Sequence, residues 1–215
     1  MTFKSVIFLT AAGILLAACQ SKTYKLCGTA DGMADGDTLY LTTDMQEGTP
    51  QATIIVHDGR FDYKGESDSI CLAMIYSAAR HEINAPFFLE PGEITITLSD
   101  VPGLSRVAGT NCNEQWQRLN DSVMVIGKEI NLIAEHIYGN NVDMEQQEKG
   151  MATIEQLNQR FSALIIRTIE ENIENEFGYF LLTYYPEDVI DNETRARLIK
   201  QLPEEKQKNT PHSNL

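Results

Sequence analysis

The chain has 215 residues and a formal net charge of −14, from 17 Lys+Arg against 31 Asp+Glu. Hydrophobic residues make up 42% and charged residues 22%, the proportions of a chain that buries a core, so wholesale disorder is excluded. An acidic balance of this size also excludes a nucleic-acid partner, because phosphate binding needs a basic face.

Residues 1–18 read as a secretory signal. Lys4 supplies a short positive start, and Val6 to Ala18 is an uncharged apolar run, shorter than the roughly 20 residues of a spanning helix. It ends in Leu16-Ala17-Ala18-Cys19, which resembles the bacterial lipobox. That resemblance implies cleavage before Cys19, acylation of Cys19, and anchoring through several acyl chains. Gln20-Ser21-Lys22 follows without an acidic residue, so the expected location is the cell envelope, on the periplasmic side of an outer membrane. Cys27, Cys71 and Cys112 remain after the anchor, an odd number with no Cys-x-x-Cys spacing. They read as small buried hydrophobes, with room for one bridge.

From residue 23 to about 110 the punctuation is that of strands. Tyr24 to Cys27 alternates and is expected to break at Gly28. Asp37 to Thr43 is rich in β-branched and aromatic residues. Thr53 to His57 and Arg60 to Lys64 flank Asp58-Gly59, a pair that predicts a type I′ hairpin. Further strands are expected over 70–78, 86–89, 93–98 and 106–108, with a turn at Pro91-Gly92.

After Gly109 the period changes. Trp116, Leu119, Val123, Ile126, Ile130, Ile133 and Ile137 form one apolar stripe on a helix, capped by Asn111 or Asn113 and stopped at Gly139-Asn140-Asn141. A second helix carries Met151 through Phe177 and is expected to pack antiparallel on the first. Gly178 opens a break, Tyr179 to Tyr185 is a short aromatic segment, and Asn192 to Leu202 is a last helix capped by Asn192. The expected fold is α+β: an N-terminal antiparallel β-sandwich or barrel over 19–110, then a helical region over 111–203 with two long amphipathic helices. Residues 204–215 are expected to be a disordered tail.

Tyr24-Lys25-Leu26-Cys27-Gly28, Gly36 to Leu41, Val56-His57-Asp58-Gly59-Arg60-Phe61, Phe87 to Ile94 and Val107 to Asn113 resemble the domain-of-unknown-function 4369 family. In Bacteroidetes envelope lipoproteins that domain commonly precedes a thioredoxin-like domain. The resemblance therefore implies a thioredoxin-like partner or a homo-oligomer. No Cys-x-x-Cys stands in this sequence, so no redox residue carries over.

No catalytic, cofactor or metal residue is assigned. His57, His81, His136 and His212 are scattered, and Asp31, Asp35 and Asp37 lack the order of a calcium loop. There is no Gly-x-Ser-x-Gly, Ser-x-x-Lys or phosphate-cradling Gly loop. Glu90 reads as a turn residue, Cys112 as a thiol near a helix start, and Glu170, Glu171, Glu174 and Glu176 as a solvated strip. The expected function is that of a lipid-anchored, non-catalytic binding, positioning or oligomerisation module. The alternative is the accessory N-terminal part of a thiol-disulfide oxidoreductase.

Overall fold

The computed structural model describes residues 22–139 and 142–210; the signal, Cys19, Asn140, Asn141 and His212 lie outside them. Among the described residues eight strands precede five helices, an α+β arrangement. The strands are β1 (Thr23–Ala30), β2 (Thr38–Thr42), β3 (Ala52–Ile55), β4 (Arg60–Glu66), β5 (Cys71–Tyr76), β6 (Asn84–Leu89), β7 (Gly92–Leu98) and β8 (Arg106–Ala108). They form two open four-stranded sheets, ordered β4-β1-β7-β8 and β3-β2-β5-β6. Alternation puts Leu26, Phe61, Ile94, Ile96 and Val107 of one sheet against Leu39, Leu41, Ile54, Ile75 and Phe87 of the other, all buried.

Three local expectations change. Strand β1 does not break at Gly28 but runs through it to Ala30, because β1 lies between β4 and β7 and pairs with both. That pairing with β7 is parallel, so the first sheet is mixed rather than antiparallel. The Asp58-Gly59 turn has the positive φ values its sequence demands, 50° and 65°. It is nevertheless a corner and not a hairpin, since β3 pairs with β2 while β4 pairs with β1. A single bridge, His57 with Arg60, closes it by N–H···O bonds of 2.8 and 2.9 Å.

Helix α1 (Asn111–Gly139) runs along the edges of β6 and β8. Its first turns satisfy backbone groups that an edge strand would otherwise leave unmet. The Asn113 amide accepts from Phe88 N–H and donates to Phe88 C=O, both at 2.8 Å, as a neighbouring strand would. Trp116 Nε1 donates to Pro86 C=O at 3.0 Å, and Pro86 itself has no N–H to leave unpaired. On the β8 side, Gln117 Oε1 accepts from Val107 N–H and Glu114 Oε1 from Gly109 N–H. Asn113 is thus not the helix cap. Glu90, buried, takes that role across space, its Oε1 accepting from Cys112 N–H at 2.7 Å and Asn113 N–H at 3.2 Å. A carboxylate suits the positive end of a helix, so Glu90 is a tertiary cap rather than a turn residue.

Helix α2 (Met144–Glu171) starts with an Asp143–Gln146 capping box. It packs on α1 through Leu157, Ile126 and Ile137, and Gly150 allows the close approach: a Cβ there would lie 2.4 Å from Ile137 Cγ2. Asn172 ends α2 earlier than expected, and Phe177 and Gly178 belong to a separate helix α3 (Glu176–Tyr184). Phe88, on the outer face of the second sheet, meets Trp116, Phe177 and Phe180 edge-to-face at 5.8, 5.5 and 5.0 Å, which joins sandwich to helices. Helix α4 (Asn192–Ile199) is capped by Asp191, not Asn192. Of the residues expected to be a disordered tail, 204–209 instead form helix α5 (Glu204–Asn209), while 211–215 lie outside the described residues. Lys206 fastens it, with Nζ 2.8 Å from Glu176 Oε1 and 5.3 Å from the Tyr179 ring centroid.

Candidate docking groove on the helical hairpin

The direction of α1 defines the two ends of the molecule. Tyr24 pairs with Gly92, two residues after Glu90, and Glu90 holds the start of α1. The N-terminal attachment at residue 22 and the start of α1 therefore share one end of the sandwich. From Phe88 the helix passes Pro86, and Asn120 and Met124 share a cleft with Asn84 at the start of β6. Beyond Met124 it continues to Gly139, about 22 Å at 1.5 Å per residue. α2 returns alongside it, so the pair is a hairpin directed away from the N-terminal attachment.

One flank of this hairpin is an open groove of about 550 Å³. Its floor is Val125, Ile126, Ala163 and Leu164, and its rim is Ser122, Arg160 and Arg167. Val125 is 53% exposed, and Leu132, two turns further along α1, is 67% exposed. The guanidiniums are loosely held: Arg160 stands 3.8 Å from Glu129, and Arg167 3.8 Å from Glu171. Exposed pairs at that distance contribute little to stability, and with a glutamate beside each arginine the rim carries no net charge. Sequence reading named neither arginine; their spacing of seven, beside Val125 and Leu132 at the same spacing, is the signal that finds them.

The other sequence candidates resolve into structural roles. Cys27, Cys71 and Cys112 are all free thiols. Cys27 sits on the outer face of the first sheet, its Sγ donating to Glu93 Oε1 at 3.4 Å. Cys112 does not have the lowered pKa that a helix start would favour. Burial, and then the charge of Glu90, push its thiol up to about 12. Asp37 accepts from Ala34 N–H and Asp35 from Asp58 N–H, each at 2.7 Å, so these carboxylates build turns. His57 Nδ1 lies 3.8 Å from Asp35 Oδ1. Among the described residues no three His, Cys, Asp or Glu side chains come together as a metal site. The acidic strip is partly bonded rather than simply solvated: Glu170 pairs with Arg197 at 2.7 Å, and Glu176 with Lys206.

The buried hydroxyls and thiol give the protein an alkaline limit. Burial, then the charge of Tyr63, push Tyr24 up to about 12; burial, then Tyr184, do the same to Tyr185. The unfolded chain releases these protons near pH 9 for Cys and 10 for Tyr. Between those values and 12 the unfolded state binds fewer protons than the folded one. Stability is therefore full below about pH 9 and falls as pH rises toward 12. The denaturation midpoint is expected to hold from about pH 6 to 8 and drop above 9. A profile unchanged to pH 12 would contradict the burial of these groups.

No described helix is long and apolar enough to cross a membrane. Comparison with known families matches residues 24–116 to the family described as Domain of unknown function (DUF4369). The match extends past residue 110 into α1 and ends at Trp116, so it takes in the turns that seal β6. No curated protein matches the chain.

Proposed function

We propose that this chain, whose residues 24–116 are a domain of the DUF4369 family, is a lipid-anchored envelope protein that positions a helical docking arm away from its membrane. The carrying observation is the polarity of α1: tied to the sandwich at the end where residue 22 enters, it projects at the other. The Leu16-Ala17-Ala18-Cys19 sequence supports an anchor at Cys19. Three residues, four Cα-to-Cα steps, then separate Cys19 from Thr23, a reach of at most about 14 Å. That tether holds the Glu90 end of the sandwich toward an outer membrane, facing the periplasm, and the hairpin away from it.

The Asn113, Trp116 and Glu90 bonds make the sandwich and α1 one body, so the arm keeps its direction. Such a body serves binding and positioning and needs no catalytic group of its own. Intact-mass measurement of protein extracted from membranes tests the anchor. The expected species starts at Cys19 and carries acyl chains, and a Cys19→Ala chain given an ordinary secretory signal in place of residues 1–18 is expected to move into the soluble fraction. A native mass retaining residues 1–18, or membrane binding of that Cys19→Ala chain with the ordinary signal, would overturn the reading.

A further inference from the structure

We propose that the outer edge of β4 pairs with an extended segment of a partner polypeptide, added antiparallel as a further strand of the first sheet. The proposal goes beyond the positioning-arm reading and rests on it only in excluding a second copy.

The edge follows from the phase of the hydrogen bonds. β1 and β4 pair antiparallel; Ala30 N–H donates to Gly59 C=O at 2.9 Å, and Ser67 N–H to Lys22 C=O at 2.8 Å. Bonded pairs alternate along such a ladder, so Phe61, Tyr63 and Gly65 turn their backbone groups toward β1. Arg60, Asp62, Lys64 and Glu66 turn theirs outward. The Arg60 groups are spent on His57, at 2.8 and 2.9 Å. Beyond Arg60, β4 has no strand on that side. The N–H and C=O of Asp62, Lys64 and Glu66 thus form an open half-ladder, without a hydrogen-bond partner among the described residues. A strand is the structure that completes it. The edges across the sandwich differ, since Asn113, Trp116 and Gln117 of α1 seal β6 and β8.

Charge selects the segment. Arg60, Asp62, Lys64 and Glu66 are exposed and alternate in sign along β4. None of them forms an ion pair among the described residues. Lys64 stands directly opposite Lys25 of β1, whose own partner is Glu93. An antiparallel segment reading basic-x-acidic-x-basic-x-acidic sets an opposite charge beside each of the four, the arrangement that stabilises cross-strand pairs. Its middle residue falls opposite Tyr63, half-buried on the inner face, and an apolar side chain there covers the ring.

β4 carries the same pattern, so a second copy would satisfy the charges. Two-fold antiparallel pairing, however, turns the second copy's residue 22 to the opposite end of the sandwich. One of the two hairpins would then point back toward the membrane. An anchored arm leaves this edge to another polypeptide.

The test uses the detergent-solubilised mature chain and a labelled peptide, Arg-Thr-Asp-Val-Lys-Thr-Glu. A twin N-methylated at its aspartate and lysine keeps the charges and loses the donors that face β4. Fluorescence anisotropy is expected to show binding of the peptide and about tenfold or weaker binding of the twin. Lys64→Pro removes an outward N–H while sparing the bonds to β1, a substitution that edge strands tolerate, and is expected to weaken binding similarly. Amide exchange by NMR reads the edge without any variant. In the free chain the Asp62 and Lys64 amides are expected to exchange fast and those of Phe61, Tyr63 and Gly65 slowly. Saturating peptide is expected to slow Asp62 and Lys64 about tenfold or more.

Equal binding of the N-methylated twin, or Asp62 and Lys64 amides that stay fast under saturating peptide, would overturn the proposal. A dimer in sedimentation that Lys64→Pro abolishes would overturn it too, by assigning the edge to a second copy. The intact mass of the native protein reads the anchor separately, so failure of the anchor and failure of the edge are distinguishable.

Discussion

Gly28→Ala is expected to prevent the chain from reaching its native sandwich, and to do so more severely than any surface substitution. A Cβ at residue 28 would lie 1.8 Å from the carbonyl oxygen of Ile96 and 2.8 Å from the Phe61 ring. Both neighbours are held. Ile96 is in β7, and Phe61 is in β4, buried between the sheets. Relief therefore requires β1 to separate from a strand it pairs with along its length. The cost is expected to exceed about 4 kcal/mol, the range reserved for gross overpacking or loss of a backbone ladder. Soluble yield and the guanidinium midpoint measure it. Gly59→Ala is the control: its added Cβ meets nothing within 4 Å, and the strain of φ 65° alone is expected to cost about 1 kcal/mol. Similar losses in both variants would mean that crowding at Gly28 is not what limits the fold.

Asn113→Ala is expected to cost about 3 kcal/mol, read as a shift of the denaturation midpoint at unchanged slope. Asn113 is fully buried, and its amide serves both the N–H and the C=O of Phe88 while also donating to Thr110 Oγ1 at 2.8 Å. Truncation leaves a buried donor and a buried acceptor unmet on the edge of β6, each worth about 1–3 kcal/mol. Asn113→Asp is expected to be worse than alanine. It keeps the acceptor for Phe88 N–H but turns a second oxygen toward Phe88 C=O, and it buries a charge close to the Glu90 carboxylate. If Asp proved as well tolerated as Asn, the amide could not be the group that completes the sheet edge. Trp116→Phe removes a single bond, to Pro86 C=O, and is expected to cost about 1 kcal/mol.

These two positions differ in how they read in sequence. Gly28 stands in a run of alternating residues and looks like an interruption, because glycine is a weak strand residue. Its reason is a neighbour 68 positions away, the Ile96 carbonyl, which no local pattern contains. Asn113 stands where a helix begins and looks like a cap, since Asn is a preferred capping residue. The capping group is Glu90 instead, brought there by the return of β6 into β7. In both cases the residue type is informative and its partner is tertiary.

What local chemistry decides was readable along the chain. Alternation of period two produced the strands, the stripe from Trp116 to Ile137 produced α1, and Asp58-Gly59 adopted the left-handed conformation its residues favour. Each depends on contacts or torsions within a few residues. Sheet membership does not. The same Asp-Gly turn sends β4 to pair with β1 instead of β3, and β1 to lie parallel to β7, because pairing is chosen by burying both inner faces at once. The fate of residues 204–209 was likewise non-local: a polar stretch with little apolar surface is ordered by Glu176 and Tyr179 on α3. The groove belongs to the same class. Arg160, Arg167, Val125 and Leu132 are unremarkable surface residues in the sequence. They become a surface because Gly150 and the two apolar stripes bring α1 and α2 together, while α1 is fixed to the sandwich at one end and left uncovered along its second seam.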